Sequence, residues 1–138
     1  MRRRSEGGQT AVEFAVVIPV LLLLLLGIFQ IGITYYNNES LQTSARDGAR
    51  AGAIHTGSTL AQIQAYVDAA VRSNAAGLDT STSKLVVTSG CTLPPSTAPT
   101  ACDQGDTIDV TVTYPWTIGV LAFSQSGTLT THTKLRME

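Results

Sequence analysis

The sequence predicts an α+β fold: a long apolar N-terminal helix that continues into a small head with a second helix and about three antiparallel strands. Three observations predict it. A 19-residue apolar stretch lies near the N-terminus, an amphipathic helical pattern follows it, and the second half of the chain alternates apolar and polar residues. The 138 residues suit one domain with an appended segment.

The apolar stretch is Ala15–Ile33 (AVVIPVLLLLLLGIFQIGI), in which Gln30 is the one polar side chain. No charged residue occurs from Phe14 to Asn38. About 20 apolar residues in a helix span a hydrocarbon core of roughly 30 Å. We therefore expect a membrane-spanning helix. Tyr35 and Tyr36 follow it, where an interfacial aromatic belt would lie.

Basic residues predict the orientation of this span. Arg2–Arg4 precede it, and the next basic residue is Arg46. The positive-inside rule then places the N-terminus in the cytoplasm and residues 34–138 outside. A cleaved secretory signal is the competing interpretation, but its apolar region is typically about 7–15 residues. The nearest Ala-x-Ala site, Ala51–Ala53, lies far beyond the stretch.

The carboxylate of Glu13 lies two residues before the apolar stretch, and its position has two interpretations. It is an interfacial residue at a helix start, where the helix dipole favours negative charge. Alternatively, it is a functional carboxylate at membrane depth, where an ionised group is costly. The residue type alone leaves both interpretations open.

The surrounding residues resemble a known signal. A basic leader, Gly8, and Glu13 five positions later followed by Phe14 resemble the class III signal of type IV prepilins. With the span, they look like the TadE family of pseudopilins from tight-adherence (Tad) pilus systems. The stretch Leu41–Ala53 (LQTSARDGARAGA) also resembles the family segment after the span, and Leu135–Glu138 resembles its closing strand.

The resemblance implies processing and assembly. A prepilin peptidase would cut after Gly8 on the cytoplasmic face and leave Gln9 as the new N-terminus. Glu13 and Phe14 would then act in assembly, with the Glu13 carboxylate of one subunit pairing with the terminal ammonium of the next. A lone charge in a medium of low dielectric constant is expensive and a pair is tolerable, which would penalise wrongly placed subunits.

The same resemblance implies a domain plan and a set of partners. Residues 1–8 would be the basic leader, 9–53 the transmembrane and extended N-terminal helix, and 54–138 an extracytoplasmic pilin-like head. The expected partners are prepilin peptidase, other pilin or pseudopilin subunits, the inner-membrane pilus assembly platform and membrane lipid. The protein would be a single-pass cytoplasmic membrane protein that also enters an extracellular pilus.

Two patterns predict helix packing after the span. Small residues recur at three- and four-residue spacing and form a stripe on which another element can pack closely: Ala45, Gly48, Ala49 and Gly52. Arg46 and Arg50 flank the stripe and lie either on a solvated face or at a neighbouring subunit. After a break at Gly57, Thr59–Gln62 matches a capping box and predicts a second helix over 59–76.

A period of two predicts three strands, at 84–89, 107–114 and 128–137. Between the last two, we expect an apolar connection from Trp116 to Phe123, punctuated by Pro115 and Gly119. Its apolar side chains would pack in the core, or alternatively would form a patch at a subunit interface. The order of the strands does not follow from the sequence.

Two cysteines, Cys91 and Cys102, flank the loop TLPPSTAPTA. In an exported head we expect them to form one disulfide. Closure of this ring should add about 3 kcal/mol on the chain-entropy model. A metal site is the rival, but no histidine or second cysteine pair lies nearby in the sequence to complete four ligands.

Composition and motifs indicate a structural protein. The net charge of -1 lacks the surplus of Lys and Arg that a nucleic-acid binder needs. We find no catalytic motif and expect no catalytic residue, metal or cofactor; Asp103, Asp106 and Asp109 are interpreted as turn residues. The expected function is a TadE-like minor pilin or pseudopilin. The alternative is an unprocessed, single-span membrane-anchored protein whose exported head binds a partner.

Overall fold

One unbroken helix, α1 (Gly7–Ala53), dominates the computed structural model, which describes residues 7–92, 101–120 and 123–137. Its 47 residues correspond to a length of about 70 Å. Pro19 lies inside it. The prediction that the helix continues past the apolar stretch to Ala53 is confirmed. The arginines of the basic leader, Arg2–Arg4, lie outside the described residues.

The second helix, α2 (Leu60–Asn74), starts at the predicted capping box. The side chain of Thr59 accepts a hydrogen bond from Gln62 N at 3.4 Å, and Gln62 Oε1 accepts one from Thr59 N at 3.1 Å. These bonds satisfy two backbone donors that a helix start leaves unpaired. The helix ends two residues before the predicted end, and Gly77 follows it with a positive φ of 75°.

Among the described residues, five strands complete the fold. Three form an antiparallel sheet in the order β2-β4-β5, with bounds β2 (Val86–Thr92), β4 (Thr107–Val120) and β5 (Phe123–Arg136). The two-residue strands β1 (Ser58–Thr59) and β3 (Ala101–Cys102) pair separately, and the sequence did not predict them. The long helix, second helix and three-stranded sheet confirm the predicted α+β class.

The predicted start of the first strand is wrong. Lys84 and Leu85 belong to a turn, because their N–H groups both donate to Ser81 O, at 3.0 and 2.9 Å. The strand then runs from Val86 and includes Cys91. Of the residues that suggest a strand at 84–89, Leu85 therefore lies in the turn, and Val86 and Val87 lie in the strand.

The predicted apolar connection after Tyr114 is also wrong, because this segment continues the strands. β4 extends to Val120 and β5 begins at Phe123, while Leu121 lies outside the described residues. Pro115 is tolerated because β2 reaches only as far as Val86, opposite Thr113. Beyond that point no strand of the described part of the chain pairs with β4 on this side, so a missing N–H there costs little.

The core lies between the C-terminal part of α1, α2 and one face of the sheet. The inward residues of β4 alternate, as the period of two requires. Fully buried members of this core are Leu41, Ala45, Ala49, Ile63, Val67, Val71, Leu85, Ile108, Val110 and Val112. Met137 closes it after β5, with 1% of its surface exposed and its N–H donating to Asp106 O at 2.8 Å.

A disulfide joins Cys91 in β2 to Cys102 in β3, with the Cα atoms 5.9 Å apart. Since Cys102 also pairs with Ser58 of β1, the bridge connects the sheet to the α1–α2 connection. The Pro- and Thr-rich residues 93–100 that it encloses lie outside the described residues. Of the expected turn residues, Asp109 instead lies in β4, where it pairs with Lys134 at 3.1 Å.

Candidate functional site

The membrane-facing candidate is the N-terminal half of α1, which we call the bare segment (residues 10–33). Its large apolar side chains are exposed on all sides, from 40% at Leu23 to 68% at Ile28. The helix is long and apolar enough to cross a membrane, with a mean hydropathy of 2.8 over its best window and none of that window buried. A helix that is apolar all round and uncovered requires an apolar surrounding.

The residues of the predicted cleavage motif lie in the first turns of α1. A Cβ on Gly8 would meet no atom within 4 Å, so the backbone there is open to approach. Thr10, Glu13, Phe14 and Val17 line one shallow groove, because positions i, i+3, i+4 and i+7 share a helix face. The structure thus brings Glu13 and Phe14 together, and both are exposed.

The spacing of Gln9 and Glu13 fixes their relative height. They are four residues apart in one continuous helix, which is about 6 Å along the axis. A second chain displaced by about this distance along the helix would bring its Gln9 backbone nitrogen level with Glu13 of the first.

The small-residue stripe lies in the other half of α1 and is covered by the same chain. Ala45 and Ala49 are fully buried. A Cβ on Gly48 would lie 2.5 Å from Val71 Cγ2, and one on Gly52 would lie 2.9 Å from Val67 Cγ2. The stripe therefore receives α2, while Arg46 and Arg50 beside it are exposed. One helix thus has a packed half and a bare half.

Gln30 links the bare segment to the sheet. Its Nε2 donates to Gly119 O at 2.5 Å, and its buried Oε1 has no hydrogen-bond partner among the described residues. Sequence reasoning identified Gln30 only as the single polar side chain of the apolar stretch. Its position as the one polar side chain of the stretch was the signal in the sequence for this contact, because a polar group in such a stretch needs a partner.

Two charged networks hold the connection after α2. Arg72 donates from Nε and Nη2 to the Asp68 carboxylate at 2.7 and 2.8 Å, and also bonds the carbonyls of Thr80 and Leu85. The hydrogen bonds that Arg72 donates to Asp68 raise the pKa of Arg72 above its usual value. A hydrogen bond from Ser81 N lowers the pKa of Asp79, and Lys84 adds to this effect. These contacts stabilise a turn, and their geometry indicates no catalytic role.

The histidines have structural contacts. His55 stacks on Tyr66 with ring centroids 3.8 Å apart, and its Nδ1 lies 2.7 Å from Ala51 O. His132 Nδ1 lies 2.9 Å from Thr111 Oγ1. Across residues 7–92, 101–120 and 123–137, no group of three or more His, Cys, Asp or Glu side chains is placed to hold a metal ion.

The comparisons with known proteins give one finding. Residues 8–50 match the family described as TadE-like protein, which confirms the resemblance over the predicted cleavage motif, the bare segment and much of the stripe. The match covers 43 of the 138 residues. No curated protein and no solved structure matches the chain significantly.

Proposed function

We propose that this chain, whose residues 8–50 match the TadE-like family, is a minor pilin or pseudopilin that takes part in assembling a Tad-type pilus for adhesion or secretion. The observation that supports this proposal is that the two halves of α1 differ in what covers them. Its packed half holds the head together, while the bare segment presents an uncovered apolar surface that follows Gly8 and contains Glu13. That half is available to lipid first and to other subunits afterwards.

Processing after Gly8 is the first step of the proposal. In α1 the Gly8–Gln9 bond is helical, and a peptidase needs an accessible backbone. Gly7 and Gly8 favour opening of this first turn, because each glycine costs a helix about 1 kcal/mol relative to alanine. Removal of residues 1–8 would then place a free ammonium on Gln9 on the cytoplasmic side.

Pairing of charges is the second step. The ammonium and the Glu13 carboxylate would both lie at an apolar boundary, where an unpaired charge is costly. A neighbouring subunit displaced by about 6 Å along the helix brings its ammonium to the level of Glu13. The charge pair would thus select one axial offset between subunits, and the surrounding apolar side chains would supply the contact area.

The N-terminus of the membrane-extracted protein tests the processing step. Intact mass and terminal peptide mapping should show a chain that starts at Gln9. Gly8→Leu should abolish this product, whereas Gly27→Leu should not, although a Cβ at either glycine meets no atom within 4 Å. A wild-type chain that retains residues 1–8 would contradict the proposal and favour the unprocessed anchor.

Assembly is tested separately through Glu13. Glu13→Gln should leave the mass of the processed chain unchanged apart from the substitution, and should reduce the protein recovered in sheared fibres or assembly complexes. Glu39→Gln is the matched control, since Glu39 is also an exposed glutamate of α1 but lies beyond the bare segment. Equal recovery of the Glu13 variant and the wild type would contradict the pairing role.

A further inference from the structure

The tip of the β4–β5 hairpin is at the same height as the end of the bare segment. Two contacts fix this height: Ile108 lies against Gly52, and Gly119 O accepts the hydrogen bond from Gln30. Between them the helix advances about 33 Å over 22 residues, and β4 about 36 Å over 11 residues. β4 therefore runs back along α1 until it reaches the bare segment.

Gln30 lies within the apolar stretch, about one turn before its end at Ile33. Gly119, which accepts the hydrogen bond from Gln30, belongs to the hairpin tip, which we define as Trp116–Val120 and Phe123–Gly127. If α1 crosses a membrane with Ala15–Ile33 in the hydrocarbon core, the hairpin tip lies at the outer boundary of that core. Water alone would not surround it at this height.

The charge distribution of the hairpin fits such a position. Its 24 residues from Val110 to Thr133 contain no Asp, Glu, Lys or Arg. The nearest charges, Asp109 and Lys134, pair with each other at the opposite end, next to the head. At the end of β4 the sequence reads VLAF, from Val120 to Phe123. An uncharged hairpin thus lies beside the uncharged part of α1.

Trp116 is placed as an interfacial residue would be. It is the only tryptophan of the chain, is half-buried and covers Gly127 on β5, where an added Cβ would lie 2.9 Å from its ring. Tryptophan concentrates at the boundary between hydrocarbon and water, because its ring is apolar and its N–H is polar. Tyr114, two residues earlier on the same face, is also half-buried.

We propose that the hairpin tip inserts into the outer lipid interface of the membrane that α1 spans and fixes the head against the lipid surface. The occupant is lipid rather than a second copy, because the tip continues the bare segment at its own height. The edge of β4 beyond Thr113, where β2 no longer pairs with it, limits the depth of insertion. Unpaired backbone groups can be satisfied among headgroups and water but not in hydrocarbon. The inference rests on membrane anchoring and does not depend on cleavage or assembly.

Fluorescence of the single Trp116 tests this insertion in the full chain, reconstituted at low density into phosphatidylcholine vesicles. We expect a blue-shifted emission that is quenched more by lipids brominated near the top of the acyl chain than by lipids brominated near its end. Aqueous iodide should quench it weakly. Emission that is quenched by iodide and not by brominated lipid would overturn the inference. Emission that neither quencher reaches and that changes with the protein-to-lipid ratio would also overturn it, since a second copy of the chain would then cover the tip.

Two variants separate the hairpin tip from the rest of the strand. Ser124 and Thr130 lie on the same outward face of β5, and both are exposed. Ser124→Asp, opposite Gly119, should shift Trp116 from lipid quenching to iodide quenching, whereas Thr130→Asp, opposite Thr113, should retain the wild-type pattern. Equal effects of the two variants would contradict the inference. Vesicle flotation distinguishes failure of this inference from failure of membrane anchoring, because protein that does not float with the vesicles is not anchored.

Discussion

Gly52 of α1 and Ile108 of β4 are packed so closely that a Cβ on the glycine would overlap the Cδ1 methyl group of the isoleucine. Val67 of α2 also contacts this position, with its Cγ2 2.9 Å from the same Cβ position. One glycine thus sits where the first helix, the second helix and the central strand meet. Its missing side chain sets how closely these three elements approach one another.

Gly52→Leu should therefore lower the free energy of unfolding, by about 1–3 kcal/mol, because the added atoms overpack a filled core. The measurement is urea unfolding of the full chain in detergent micelles, followed by circular dichroism. Gly32→Leu is the control, since a Cβ there meets no atom within 4 Å. Similar losses in both variants would mean that Gly52 is not a close-packed position.

Thr59→Ala should lower the free energy of unfolding by about 1 kcal/mol, because α2 loses the side-chain acceptor at its N-cap. The substitution removes the oxygen that accepts the bond from Gln62 N and the hydroxyl that donates to Gln62 Oε1. Thr56→Ala removes the same atoms from an exposed threonine three residues earlier. If the two variants have equal urea midpoints, the capping box contributes nothing measurable.

Reduction of the Cys91–Cys102 disulfide should lower the free energy of unfolding by about 3 kcal/mol. The bridge restricts the unfolded chain and also fixes β3 beside β1. Urea unfolding with and without dithiothreitol measures the loss. The Cys91→Ala/Cys102→Ala double variant is the control: its midpoint should match that of the reduced wild type and should not respond to dithiothreitol.

The Asp79 carboxylate should make a small pH-dependent contribution to stability. The hydrogen bond from Ser81 N lowers its pKa in the folded state, so the contribution is complete above the ordinary value of about 3.9 and is lost as the pH falls through the lower folded value. The difference in urea midpoint between wild type and Asp79→Ala should be constant from about pH 7 to pH 5 and should narrow below about pH 4.

Thr82→Ala is the control for this titration, since Thr82 is exposed in the same turn and carries no titratable group. Its difference from wild type should not change over the same acidic range. Added salt should alter the Asp79 effect only slightly, because the bond from Ser81 outweighs the attraction of Lys84, and screening acts mainly on the latter. A difference that widens at low pH would contradict the sign.

The helices were predictable from the sequence, since apolar runs and caps are local signals. The Thr59–Gln62 box correctly placed the start of α2, and the apolar stretch Ala15–Ile33 correctly predicted a helix, which begins earlier, at Gly7. The ends of the strands were less predictable. Lys84 and Leu85 look like strand residues, but Ser81 captures their N–H groups, and Pro115 looks like a terminator but occupies a free edge. The first outcome depends on a local turn at Ser81, and the second depends on where β2 ends, in a segment distant in the sequence.

The candidate site was predictable only where its residues lie close together in the sequence. Gly8, Glu13 and Phe14 form a contiguous motif, so their positions on one end of α1 followed from helical geometry. The contact between Gln30 and Gly119 spans 89 residues and depends on how far β4 extends. The same holds for the stripe: spacing predicted that something packs on Gly48 and Gly52, and only the fold identifies α2 and Ile108.

The continuity of α1 has a mechanical consequence. No break separates Ile33, in the bare segment, from Leu41, in the core of the head. A pull on the head is therefore transmitted along the helix axis as tension, and any tilt of the bare segment turns the head through the same angle. In a membrane-spanning chain, the head would therefore act as one arm of a lever whose other arm is the bare segment.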